Sequence, residues 1–218
     1  MRDSLTSERL LAAAALAFLL FAGLAAKRIA PYNELSGRRK APLPMISLGE
    51  RPILQIELAR NEDDLQKILM VGDSAQNVTD ARAGNRLDSL MFIPGYAGFL
   101  IFTGLALRRV LPGWKKSILV LVLVAIPIAA LCDWRENAGI TRVLDHFEHH
   151  RQAEPGDAAR IAGPSLVKWC LLALILLIYG ATGASGPVVW LRFVALSFLA
   201  AGILLAVMLS QYGIERFT

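Results

Sequence analysis

The sequence predicts an all-α membrane protein, a five-helix transmembrane bundle with a small extracytoplasmic hairpin-plus-helix insertion. Three observations carry that prediction. Apolar residues are 55% of the chain and charged residues 19%, too few charges for an ordinary water-soluble domain of this length. The charges lie outside five apolar stretches, Leu10–Ala26, Ser89–Leu107, Ser117–Cys132, Trp169–Thr182 and Pro187–Gln211, of which only the last contains an ion, Arg192. Finally, four of these stretches approach the length that crosses a hydrocarbon core of roughly 30 Å. Trp114, Lys115 and Lys116 extend the short third stretch by anchoring at the interface.

The net charge of +5 excludes little by itself, but its basic residues flank the spans and form no single stripe, which argues against a nucleic-acid partner. Cys132 and Cys170 each lie at or inside a span, so they read as small apolar residues and not as a disulfide framework.

Residues 1–26 form an amino-terminal anchor. Its apolar run exceeds the roughly 7–15 residues of a signal-peptide core, and Asp3 and Glu8 offset Arg2 and Arg9 ahead of it. The anchor therefore reads as uncleaved, with cleavage at Ala22–Ala26 as the alternative. The loop Arg108–Lys116 carries Arg108, Arg109, Lys115 and Lys116 and no acid, which places it in the cytoplasm by the positive-inside rule. The amino terminus is then cytoplasmic, and residues 27–88 and 133–164 and the tail 212–218 are extracytoplasmic. Lys27, Arg28 and Arg38–Lys40 conflict with that orientation, but their loop is about the length at which the rule weakens. Parity is independent of orientation: every acidic residue except Asp3 and Glu8 falls on one face.

Within 27–88, Pro44–Leu48 and Ile53–Ala59 flank Gly49–Pro52 and read as a hairpin, with Leu54, Ile56 and Leu58 on one face. Asn61 then caps a short helix whose apolar stripe is Leu65, Ile68 and Leu69, with Gly72 as its terminator. A unit of this size buries no self-sufficient core, so it is expected to lie against the membrane domain or a partner. Asn77-Val78-Thr79 matches a glycosylation acceptor, a common chance match.

Residues 89–132 hold the second and third spans. The third continues as a helix to about Arg151, because no strong breaker follows Cys132. At about 100° per residue, Asp133, Glu136, Asn137, Ile140, Leu144 and Phe147 share one face, and Arg135, Arg142, His146 and His149 the opposite one. Acids and an amide on an inward stripe are costly unless satisfied. Asp88, which precedes the second span at the same membrane face, is their natural partner, and Pro94-Gly95 should loosen the helix near Tyr96. Asp88, Tyr96, Asp133, Glu136 and Asn137 thus form the candidate site, either an interhelical polar cluster or a ligand site. Residues 165–211 form a transmembrane helical hairpin closed by Gly183–Gly186.

The segment from Leu87-Asp88-Ser89 through Phe92-Ile93 to Tyr96, followed by Asp133-Trp134-Arg135-Glu136-Asn137, resembles small uncharacterised bacterial multi-pass membrane proteins with "LD..FI..Y" and "D..EN" elements. Glu57-Leu58-Ala59 adds to the likeness. The resemblance spans roughly 53–137; it implies a shared architecture and no assigned activity.

His146-Phe147-Glu148-His149-His150 matches one H-x-x-H-H box of membrane di-iron enzymes. Those sites need several boxes, and the chain has 3 histidines. A single zinc site through His146, His150 and a carboxylate is the lesser reading. The greater one is a solvated face in which Asp145 and Glu148 pair with the histidines. No phosphate loop, serine elbow or C-x-x-C is present, and no cofactor is expected.

Two functions follow as expectations. The first is a non-catalytic accessory or scaffold subunit of a bacterial inner membrane, which docks a membrane-protein partner or a second copy through its extracytoplasmic face. The second is a membrane enzyme that handles a lipid or small molecule at the interfacial carboxylates Asp88, Asp133 and Glu136. A transporter is weaker, because an odd number of spans shows no internal repeat.

Overall fold

The structure is a computed structural model of the 218-residue chain, described here for residues 2–30, 56–57, 59, 61–70, 74–184 and 189–217. Its elements are α1 (Arg2–Ile29), α2 (Glu62–Met70), α3 (Ser74–Leu87), a π-helical turn (Asp88–Phe92), α4 (Ile93–Val110), α5 (Trp114–His150), α6 (Asp157–Gly183) and α7 (Val189–Phe217). The described residues include no strand. Five helical segments are long and apolar enough to cross a membrane: Leu10–Ile29, Ser74–Val110, Trp114–His150, Asp157–Gly183 and Arg192–Ser210. The protein is a multi-pass membrane protein, all-helical in its described secondary structure.

The chain forms two compact units. The first comprises Met1–Ala22, Pro94–Leu131 and Val167–Thr218. Its core is Leu100, Leu107, Leu111, Leu119, Val122, Ile126, Ile175 and Tyr179. Small residues let the helices approach closely where dispersion, not water exclusion, holds them together. A Cβ on Gly95 would lie 2.9 Å from the Cα of Ala22, and one on Gly180 would lie 2.7 Å from the Cα of Leu199. Stacked Phe18 and Phe102 rings, 5.4 Å apart, fasten α1 to α4. The Tyr179 hydroxyl donates to the Leu100 carbonyl at 2.8 Å, satisfying the one polar atom of a fully buried ring. Large apolar side chains such as Leu20, Leu121 and Leu204 remain exposed, as lipid-facing positions should.

The second unit comprises Gly23–Ile93 and Cys132–Leu166. In α2, Asn61 Oδ1 accepts the Asp64 N–H at 2.9 Å, the expected cap. Glu62, Asp63 and Asp64 occupy the positive first turn. Leu65, Ile68 and Leu69 pack with Ile140, Val143, Leu144 and Phe147 of α5, Val78 and Ala81 of α3, and Ala158 and Ile161 of α6. The apolar stripe of α2 therefore finds its core within the chain, on the part of α5 that continues beyond the third apolar stretch. That continuation ends at His150, as expected near Arg151. Arg151 adopts φ 57°, a left-handed cap in which its N–H reaches Phe147 O at 2.9 Å and its guanidinium donates to Ser74 Oγ at 2.7 Å.

Three expectations change in detail. Of the expected hairpin, Ile56 and Glu57 are helical, and residues 44–48 and 53–55 lie outside the described residues. Ile56 and Ala59 are both buried, and the Ala59 N–H reaches Ile56 O at 3.3 Å. Residues 74–87, to which the sequence assigns no element, are helical and run into the second span through the π-helical turn. The fourth span begins at Asp157, where Asp157 Oδ2 accepts the Glu154 N–H at 3.0 Å, and Pro164 is accommodated inside the helix. Gly72 and residues 185–188 lie outside the described residues.

Candidate functional site

The π-helical turn is the local feature from which the polar cluster of the second unit grows. Proline cannot donate to a helical ladder, and its ring clashes with the carbonyl four residues earlier. At Asp88–Phe92 the ladder widens by one residue, and the Ile93 N–H reaches Asp88 O. In that register the Ser89 carbonyl would face residue 94, which is Pro94 and has no N–H. The indole N–H of Trp134, on α5, donates to Ser89 O instead, at 2.9 Å.

One turn along α5, the Asn137 amide nitrogen donates to Asp88 Oδ2 at 2.7 Å and to Ser89 Oγ at 2.9 Å. A carboxylate only accepts, so this contact fixes which end of the amide is nitrogen. The backbone of Asn137 is engaged as well: its carbonyl accepts from Asn85 Nδ2 at 2.8 Å and from Thr141 Oγ1 at 2.9 Å. Asn85 Nδ2 also donates to Thr141 Oγ1 at 2.9 Å. Asn137 and Asn85 are both buried. Each such hydrogen bond contributes about 1 kcal/mol net, and those to a carboxylate about 1.5–3 kcal/mol. The larger effect is the penalty for leaving any of these groups without a partner. This cluster holds α3 and the π-helical turn against α5.

Of the candidate site, Asp88 and Asn137 are brought together. Asp133 and Glu136 are buried on the face that carries Asn137, Ile140, Leu144 and Phe147, as the helical spacing predicts. Tyr96 belongs to the first unit, where it is half-buried against the core around Leu100. Asn85, Ser89, Trp134 and Thr141 were not singled out by the sequence reading. Asn85 carries a signal: it stands one helical turn before Asp88, on α3. Asn85 Oδ1 is buried and has no hydrogen-bond partner among the described residues.

Asn77 of the glycosylation match is fully buried and donates to Leu69 O at 3.4 Å, so no glycan can be attached in this fold. At the end of α5, Asp145 and Glu148 pair with Arg82 of α3, each at 2.8 Å, and not with the histidines. His146 and His150 stack with ring centres 4.2 Å apart, and His146 Nδ1 lies 3.3 Å from Glu154 Oε1. Among the described residues, no group of three or more His, Cys, Asp or Glu side chains is placed to hold a metal ion.

No known protein family, curated protein or solved structure matches the chain.

Proposed function

We propose that this chain is a non-catalytic accessory or scaffold subunit of a bacterial inner membrane. The amino terminus is then cytoplasmic, the second unit extracytoplasmic, and that unit is the surface offered to a membrane-protein partner or a second copy. The observation that carries this reading is the commitment of Asn137. Its side-chain nitrogen and its carbonyl are engaged with Asp88, Ser89, Asn85 and Thr141. A reactive centre needs groups aimed at a substrate, whereas these groups are turned on one another across helices. Purification in a gentle detergent, followed by mass spectrometry of copurifying chains, tests the proposal. A stoichiometric partner or a stable homo-oligomer is expected; a monodisperse monomer with no companion contradicts it.

A second reading, a membrane enzyme acting on a lipid or small molecule, draws on Asp133 and Glu136. Both carboxylates are more than nine-tenths buried and stand one helical turn apart. Asp133→Asn and Glu136→Gln variants separate the readings. Under the scaffold proposal they lower folded yield and thermal stability. An enzyme would instead stay folded in both variants and lose the cellular phenotype of the intact gene.

A further inference from the structure

The connection between α4 and α5 carries four cations, Arg108, Arg109, Lys115 and Lys116, for which the scaffold reading has no use. It joins the second and third membrane-crossing segments, so it lies at a membrane surface. Arg108 and Arg109 end α4, Lys115 and Lys116 begin α5, and residues 111–113 are all that separates the two helices. Leu111 is buried with Leu107 and Leu119 in the core of the first unit, and its N–H reaches Leu107 O at 3.0 Å. The Lys116 N–H reaches Gly113 O at 3.1 Å, across a left-handed Gly113. The turn is therefore pinned to the core, and it holds the cations together with no acid among them. No Asp or Glu occurs between Asp88 and Asp133. Among the described residues, Arg108, Arg109 and Lys116 form no salt bridge.

The lysines also stand where a helix disfavours them. The first turn carries the positive end of the helix dipole and stabilises acids. Helices α2 and α6 follow that rule with Glu62, Asp63 and Asp64 and with Asp157, whereas the first turn of α5 has lysines and no acid. Lys115 and Lys116 thus weaken the helix that bears them unless an anion from outside the chain lies against them. Trp114 beside them is 68% exposed, and Lys115 Nζ lies 6.0 Å from its ring centre. An exposed indole next to cations at the end of a span belongs at the level of lipid headgroups.

We propose that the α4–α5 turn is a binding surface for the headgroup phosphate of an anionic phospholipid. Arginine meets phosphate oxygens through paired N–H donors and lysine as a point charge, and both kinds of cation are fixed here on one short turn. A zwitterionic headgroup brings its own cation and leaves the excess positive charge in place. An acidic protein could supply the charge, but it would leave the exposed indole of Trp114 without the acyl boundary that suits it. The proposal needs α4 and α5 to cross a membrane. It holds in either orientation, and whether or not the second unit docks a partner.

The test uses the full chain in a nonionic detergent, titrated with dioleoyl phosphatidylglycerol and, separately, with dioleoyl phosphatidylcholine, the bound lipids being counted by native mass spectrometry. At roughly fivefold per cation near a lipid surface, the unaltered protein should prefer phosphatidylglycerol by about a hundredfold. That preference should fall as salt is raised. Arg108→Gln with Arg109→Gln, and Lys115→Gln with Lys116→Gln, should each lower it by about tenfold or more. Arg135→Gln with Arg142→Gln removes exposed cations of the second unit and should leave it within about twofold, because charges beyond a Debye length are screened. Without lipid, the lysine variant should unfold no earlier than the unaltered protein, since it removes charges that oppose the dipole. If a variant misfolds, headgroup preference and salt dependence on the unaltered protein still decide. Equal binding of the two lipids, a preference indifferent to salt, or a control variant as damaging as the turn variants would each overturn the proposal. So would an acidic protein that copurifies through these cations while no lipid preference is found.

Discussion

The indole N–H of Trp134 donates to the carbonyl of Ser89 at 2.9 Å, filling the place in the helical ladder that Pro94 leaves empty. A proline in one helix is thus answered by a side chain from another. The π-helical turn is held open as a docking point for α5, and the same turn presents Asp88 and Ser89 to Asn137.

Removing that donor should cost about 1 kcal/mol, because Trp134 is partly exposed and water can reach the vacated carbonyl. Trp134→Phe is therefore expected to lower the thermal unfolding midpoint in detergent modestly. In a Pro94→Ala background, the restored N–H lets the turn revert to a regular ladder, so the same Trp134→Phe change should cost less. Equal penalties in both backgrounds would show that the indole and the proline are unconnected.

Asn137→Ala is predicted to be more damaging, about 2–4 kcal/mol, since it removes at once the buried amide's hydrogen bonds to the Asp88 carboxylate and to the Ser89 hydroxyl. Asn137→Asp should be at least as harmful, because it sets a second carboxylate against the first. Thermal unfolding of both variants against the unaltered protein measures this. A neutral Asn137→Ala would mean that the cluster contributes nothing to holding the helices.

In the first unit, a Cβ at Gly104 would run into the Tyr179 hydroxyl. Gly104→Ala should cost about 1–3 kcal/mol through overpacking. Tyr179→Phe removes the clashing oxygen, so the double variant should lose less than the sum of the single ones. Additive losses in the cycle would place the strain elsewhere.

Surface charge and buried core should separate cleanly in the second unit. The Arg82 pairs with Asp145 and Glu148 are about half-exposed, so Arg82→Met is expected to cost no more than about 1 kcal/mol. Phe147 is fully buried in the core shared by α2, α3, α5 and α6, and Phe147→Ala should cost about 3–5 kcal/mol. Thermal melts of the two variants side by side give the comparison.

What was legible in the sequence was whatever the 3.6-residue period wrote strongly. The face from Asp133 through Asn137 to Phe147 is buried residue for residue, because large apolar groups alternate there with polar ones at helical spacing. Helix α3 was not legible: its inward side is Asn77, Val78, Ala81, Gly84 and Asn85, small or polar residues that carry little hydrophobic signal. They face inward because they allow close packing and supply amides, which only the tertiary structure reveals. The alternation of Leu54, Ile56 and Leu58 was too short to separate strand from helix. The pairing of Asp88 with Asn137 was accessible to reasoning about membrane faces. The donation by Trp134 was not, since it depends on the register of the π-helical turn.

Site-directed thiol labelling tests the central claim most directly, that residues 27–88 and 133–164 share one extracytoplasmic face. With Cys132 and Cys170 replaced by Ala, single cysteines are introduced at Lys67, Gln152 and Pro112, all exposed positions. Pro112 is preferable to its neighbour Gly113, whose φ of 52° disfavours a side chain. In intact cells, an impermeant maleimide should label positions 67 and 152 and spare 112 until the membrane is broken. Labelling of 112 alone would reverse the orientation. Different behaviour at 67 and 152 would contradict the account, because α2 and the end of α5 share one core and must lie in one compartment.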